Sequence, residues 1–319
     1  MTPAVRAFRP ADAPAVADLL RAGAPYQVVS AELIEWQAVS SPPAERYALL
    51  VAEHAGELVG VARTGVLHES AEPGLGFANV TVHPRRRGRG AGAALLAAAE
   101  ERLAVLGVVT AYAKVADDPA AVRFAERRGY RRGRRSLLLR LDLISAPLPE
   151  PPTPAGVRLL SAAELDDPRP LYEADLDASR DEPGDVGMDD ISYADWLSAY
   201  WLRPDLDPAS TSMAMVDGVV AAFSLVLTDG RDRCGSGMTG TRPAHRRSGL
   251  GRLVKVTALR RAWDADHREA VTTNDAENEA MLAINRRLGY MVDGAEWRYQ
   301  RKLCPEGELR DSSVEESTS

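Results

Sequence analysis

Short apolar runs suited to strands alternate with segments of helical periodicity, and one order of elements occurs twice along the 319 residues. The first pass predicts a strand over residues 5–8, then one or two helices. A hairpin follows in RYALLVAEHAGELVGVARTGVL, turning at Ala55-Gly56. A strand over 77–82 then leads through a glycine-rich turn into the helix AGAALLAAAEERLAVLG. A strand over 108–115, a helix over 119–128 and the closing strand SLLLRLDL complete the unit. The second pass runs from a strand over 157–160 to the hairpin STSMAMVDGVVAAFSLVL. That hairpin turns at Asp217-Gly218, a dipeptide that accepts the positive φ angles of a tight turn. A strand over 238–241, the helix GLGRLVKVTALRRAWD, a strand over 270–273, a helix over 277–288 and the strand EWRYQRKL follow. The expected class is α/β in the α+β sense, built as two similar units.

The repetition is one of residues as well as pattern. VTVHPRRRGRGAG (80–92) lies under TGTRPAHRRSGLG (239–251) at an offset of 159, matching Pro84 to Pro243, Arg87 to Arg246, Gly90 to Gly249 and Gly92 to Gly251. Further on, FAERRGY (124–130) lies under INRRLGY (284–290) at an offset of 160, and near the start Val5-Arg6 matches Val157-Arg158. The Pro-rich ISAPLPEPPTPAG (144–156) reads as a linker. The expected domains are therefore 1–145 and 157–304, joined by 146–156. The polar, acidic tail 305–319 is expected to be disordered.

Composition narrows the setting. No apolar run is long enough to span a bilayer, and the N-terminus lacks a signal-peptide layout, so no membrane partner is expected. The two cysteines, Cys234 and Cys304, are far apart and lack metal-ligand spacing. This argues against a zinc site or disulfide framework and suits a reducing cytoplasm. Residues 1–145 hold 19 Lys and Arg against 15 Asp and Glu, while the rest holds 20 against 31. A chain with net charge −7 is a poor non-specific binder of nucleic acid. A basic tract would also have no reason to keep prolines and glycines in register between copies.

A strand, a glycine-rich turn and a helix start make a phosphate cradle. The first helix N–H groups point at the anion, glycine lets the ligand approach the backbone, and arginine adds charge-assisted donors. No Gly-Lys-Ser/Thr follows, so the motif is not a P-loop, and the spacing does not fit a dinucleotide-binding turn. The pattern V-x-V-x-P-x-x-R-G-x-G-x-G, with the elements after it, resembles the GNAT superfamily of acyl-CoA-dependent N-acyltransferases. The tandem layout is similar to mycothiol synthases and related actinobacterial acyltransferases. The resemblance implies two GNAT folds, each a mixed, mostly antiparallel sheet flanked by helices, with acetyl-CoA as the acyl donor. It places coenzyme A against Val80, Val82, Arg87, Gly88, Arg89, Gly90, Ala91 and Gly92 in the first copy. In the second copy it implies Thr239, Gly240, Thr241, Arg246, Arg247, Ser248, Gly249, Leu250, Gly251, Asn274 and Asn278.

The copies depart from the family pattern in different ways. The Asn that often begins the second helix is Asp118 in the first copy and Asn278 in the second. The Tyr that protonates the departing thiolate is replaced by Ala125 and Asn285. The expected function is transfer of an acetyl or small acyl group to a primary amine of a small molecule, with the second copy catalytic and the first degenerate or coenzyme-binding. The alternative is a non-catalytic acyl-CoA-binding scaffold or sensor. The candidate catalytic residues are Asn278, Asn285, Tyr299 and Asp185. Further carboxylates able to accept a proton are Asp189, Asp229, Asp232, Glu69 and Glu72, each also readable as a solvated surface charge. The acidic, aromatic segment 177–208, with Trp196, Tyr200 and Trp201, reads equally as a wall for a cationic amine or as a packed lid. Arg127, Arg128, Arg131, Arg132, Arg134 and Arg135 read as a solvated edge, or alternatively as a contact for the coenzyme 3′-phosphate or an acidic partner. The expected assembly is a monomer or homodimer.

Overall fold

The computed structural model describes residues 3–70, 72–145, 148–180 and 191–303. Asp185, Asp189, Cys304 and the tail lie outside the described residues. The first copy runs β1 (Ala4–Ala7), α1 (Ala13–Gly23), α2 (Ala31–Ser40), β2 (Ala48–His54), β3 (Glu57–Val66), β4 (Leu75–Val82), α3 (Ala91–Val105), β5 (Thr110–Ala116), α4 (Pro119–Glu126) and β6 (Arg131–Asp142). The second runs β7 (Val157–Ser161), α5 (Arg169–Ser179), α6 (Tyr193–Trp196), β8 (Ser212–Val216), β9 (Val219–Thr228), β10 (Arg233–Thr241), α7 (Leu250–Asp264), β11 (Glu269–Asp275), α8 (Glu279–Arg287) and β12 (Met291–Lys302). The hairpins turn where expected, with Ala55 at φ 52° and Asp217 at φ 49°.

The two copies share one sheet of order β1-β2-β3-β4-β5-β12-β6-β11-β10-β9-β8-β7. Among the described residues, only β4/β5 and β10/β11 are parallel pairs. The expectation of two sheets closed within 1–145 and 157–304 needs correcting, because the closing strands are exchanged. β12 pairs with β5, β6 pairs with β11, and the two pair with each other at the centre. Each unit thus completes its sheet with a strand from beyond the linker.

Side chains explain the exchange. The guanidinium of Arg134 on β6 donates to both carboxylate oxygens of Asp275 on β11 at 2.7 and 2.9 Å, and to Glu277 at 2.9 Å. Arg132 donates to the Tyr299 hydroxyl at 3.0 Å, and its guanidinium lies 4.6 Å from the centre of the Trp297 ring. Within the arginine run, Arg132 and Arg134 thus form a seam between the copies, while Arg127 and Arg131 stay on an exposed edge. Planar, multidentate pairing of this kind fixes register as well as charge.

Helices cover both faces. Leu95, Ala99 and Leu103 of α3 pack on Ala62, Ala78 and Ala111, while α1 and α2 pack Leu20 and Ile34 on Val51 and Val61. In the second copy α7 covers one face with Val256, Leu259 and Ala262. On the other, Leu171 and Ala174 of α5 and Trp196 of α6 meet Phe223.

Candidate active site

Each parallel pair holds for three residue pairs and then parts. β4 and β5 stop pairing at Phe77/Tyr112, and β10 and β11 at Gly235/Val271. Beyond those points the copies differ. In the second, the β9/β10 register shifts between Ser236 and Thr239, so Gly237 and Met238 form a bulge with no register partner in either neighbouring strand. In the first, β3 and β4 pair from Gly60/Val82 to Val66/Gly76 without a shift. There the side chain of Asn79 also crosses the gap, accepting from Lys114 N at 2.8 Å. The residues matched to Asn79 and Lys114 are Met238 and Thr273, and both line an open gap.

A cavity of about 860 Å³ occupies that gap and runs up to the turn before α7. Thr239, Gly240, Thr241, Arg246, Arg247, Gly249, Leu250, Gly251, Asn274 and Asn278 all line it. Ser248 does not; its hydroxyl bonds back to the carbonyl of His245. Gly249 and Gly90 precede their helices at φ 83° and 90°, and neither helix has a side chain capping its first N–H groups. Those donors are left for an anion. A Cβ at Gly251 would lie 2.9 Å from Thr241 Oγ1, so glycine lets α7 start close to β10. Arg246 donates through Nε to the Thr241 carbonyl at 3.2 Å, as Arg87 does to Val82 at 3.3 Å. Arg247 holds φ 62°, where the matched Gly88 holds 75°. A non-glycine residue in that region costs free energy.

In the first copy Val80 and Val82 pack on the core under α3, and Ala91 is buried there. The Phe124 ring lies 3.4 Å from a Cβ built at Gly92. Arg89 is exposed beside Gly90 at the helix start.

The catalytic candidates separate. Asn278 caps α8, accepting from Met281 N at 3.1 Å, and also faces the cavity. Asn285 is fully buried. Its Nδ2 donates to Asn274 Oδ1 at 2.6 Å, and its own Oδ1 has no partner among the described residues. Tyr299 is brought to neither: it sits in the core under α3 and α4, where its hydroxyl donates to Glu126 at 3.2 Å. Asp229 accepts the Arg231 N–H of its own turn at 2.9 Å, and Glu69 accepts from the Tyr200 hydroxyl at 2.8 Å. The aromatic segment resolves toward packing. Trp196 is buried, donates to Asp175 at 2.8 Å and sits amid Tyr172, Tyr193, Tyr200 and Trp201.

Sequence reasoning missed three features: the Asn79 bridge, the Gly237–Met238 bulge and Lys255. Two glycines inside the strand segment SGMTG signal the bulge. Lys255 is buried on the apolar side of α7 and lines the cavity. Burial pulls its amine from the ordinary 10.5 down to about 7.

Residues 13–130 match the acetyltransferase (GNAT) family. A mycothiol acetyltransferase of Amycolatopsis mediterranei is 31% identical over 79% of this chain and 83% of its own length. The chain belongs to the GNAT acetyltransferase family. A mycothiol acetyltransferase of Nocardia farcinica is likewise 31% identical, over 87% of this chain and 90% of that protein. Among solved structures, a tandem GNAT protein from the clavulanic acid biosynthesis pathway shares the fold at a TM-score of 0.72, with 22% identity over 95% of this chain and 99% of that one. The chain is thus an N-acetyltransferase of tandem GNAT layout. Among the described residues no helix is long and apolar enough to cross a membrane.

Proposed function

We propose that the second copy transfers an acetyl group from acetyl-CoA to a primary amine of a small molecule, and that the first copy performs no transfer. The open gap carries this reading. The second copy pairs an anion-binding helix start with an unzipped strand pair and a bulge, and the cavity joins all three. The pyrophosphate of the coenzyme would lie on the first N–H groups of α7 beside Arg246 and Arg247. The pantetheine arm would run between β10 and β11 along unpaired backbone groups. The thioester carbonyl would reach the bulge, where the N–H groups of Gly237 and Met238 can accept the charge developing on oxygen. The amine would attack from the opposite face of the sheet, where α5 and α6 pack. In the first copy Asn79 occupies the corresponding gap.

Gly249→Glu fills the second cradle with a bulky anion and is expected to abolish thiol release from acetyl-CoA across a panel of amines. Gly90→Glu, in the first cradle, is expected to leave activity. Both proteins are first checked for a native circular-dichroism melt. If Gly90→Glu kills turnover while Gly249→Glu spares it, the assignment of copies is wrong. Coenzyme binding by calorimetry without thiol release from any amine would favour the scaffold instead.

A further inference from the structure

We propose that Lys255 is the proton donor to the sulfur of the departing coenzyme. The proposal rests on the transfer reaction placed in the second copy above. Lys255 is 1% exposed, yet it lines the coenzyme cavity from the second turn of α7. Its Nζ lies 5.4 Å from the centre of the Tyr290 ring. Tyr290 belongs to the buried cluster that also holds Cys234 and Ala270, the pair just before β10 and β11 part. The amine therefore sits beneath the mouth of the gap, on the α7 and α8 side. A coenzyme whose pyrophosphate is at Gly249 would bring its sulfur to this region.

Folding does not require a lysine here. At the offset of 159 the matched residue is Leu96, which packs in the apolar core of the first copy. Among the described residues Lys255 makes no ion pair or hydrogen bond. Its titratable neighbours are the Cys234 thiol from β10 and the Tyr290 hydroxyl from the residue just before β12. Arg246, Arg252, Arg287, Glu277 and Glu279 line other parts of the same cavity. A buried cation without a counter-ion is costly unless a ligand supplies the negative charge. The thiolate formed at this spot supplies it.

The step balances. The acceptor nitrogen bonds to the carbonyl carbon, the carbon–sulfur bond breaks, and its electron pair goes to sulfur. The sulfur takes a proton from the Lys255 ammonium, leaving a neutral amine. The proton shed by the acceptor nitrogen reaches solvent, and solvent recharges the lysine. Direction favours the transfer, since an amine near 7 is a stronger acid than a thiol of about 8.5. The other groups serve less well. Burial pushes the Cys234 thiol up to about 12 and raises the Tyr290 hydroxyl further above its ordinary value, and Asn285 carries only an amide.

The test uses the full chain with Lys255→Met, Lys255→Leu and Lys255→Arg. It reads thiol release from acetyl-CoA with an amine that the wild type accepts, and coenzyme affinity by calorimetry. Lys255→Met is expected to lower kcat on the order of 100-fold while coenzyme affinity holds. Wild-type kcat is expected to fall as pH rises through about 7, where the donor loses its proton. That limb should vanish in the Met and Arg variants, which have no proton to lose there. Lys255→Leu copies the first-copy residue and stands in if the Met variant does not fold. A kcat within about threefold of wild type, or an unchanged alkaline limb, overturns the proposal. So does an acetyl mass increment on Lys255 after incubation with acetyl-CoA, which would put the amine against the carbonyl carbon rather than the sulfur. A wild type that binds coenzyme but releases no thiol with any amine sinks the transfer reaction itself, and the donor role with it.

Discussion

Replacing Lys255 by Met should stabilise the protein, by an amount that depends on pH in a defined direction. The folded-state value of about 7 lies below the ordinary 10.5, so between these limits the unfolded chain binds a proton that the native chain does not. Stability of the wild type therefore rises with pH across this window, by up to about 1.4 kcal/mol per pH unit. Below 7 both states are protonated and the deficit stays constant. Above 10.5 it is gone. The full gap corresponds to roughly 5 kcal/mol, an upper bound because the cavity admits water around the amine. Methionine is nearly the same length and carries no charge, so it removes this cost without opening a large void. The assay is urea unfolding followed by circular dichroism for both proteins, at about pH 6.5 and about pH 9.5, with equal m-values checked first. The Met variant should be more stable at the lower pH, and its advantage should shrink by roughly 3 kcal/mol at the higher. An advantage independent of pH, or a variant less stable at both, would refute the claim that an uncompensated charge is buried at Lys255.

Two further outcomes follow from the cradle and the gap. Arg247→Gly relieves a left-handed conformation and should raise stability by about 1 kcal/mol in thermal unfolding. The same change should weaken coenzyme binding measured by calorimetry, since a donor beside the pyrophosphate is lost. Asn79→Ala removes the side-chain bridge across the first gap and should cost about 0.5–1.5 kcal/mol in urea unfolding, with thiol release unchanged.

Order of elements and cradles was legible in the chain because both rest on local rules. Strand period, helix period and turn residues are written in adjacent positions, and Gly90 and Gly249 adopt the positive φ that their place before a helix requires. The strand exchange was not legible. SLLLRLDL and EWRYQRKL have similar patterns, and either could close either sheet. The choice is made by Arg134 meeting Asp275 and Arg132 meeting Tyr299, partners more than 140 residues away along the chain. The basis for the proposed division between copies was half legible. Asn278 pointed to the second copy, yet part of its work is capping α8. The stronger signs are Asn79 bridging one gap and a bulge in the other, and both depend on which residues stand opposite each other across strands.

The exchange also gives a physical reason why a first copy without transfer activity, as proposed above, would be kept. The wall of the second cavity includes Asn274, at the end of β11, and the turn from Glu277 to Asn278. That stretch is held from the far side by β6, a strand of the first copy. Arg134 grips Asp275 and Glu277, and the backbone N–H of Ala276 donates to the Arg135 carbonyl at 2.8 Å. Residues 269–275 each pair with a β6 residue between Ser136 and Asp142. β10 has parted from β11 beyond Val271, so β6 is the neighbour that keeps the later part of β11 in a sheet. An edge strand without that partner would expose its ladder groups and let the cavity wall drift. On the proposed division of labour the first copy could lose its own chemistry, with Asn79 bridging its gap, because what the second copy takes from it is a strand and two arginines.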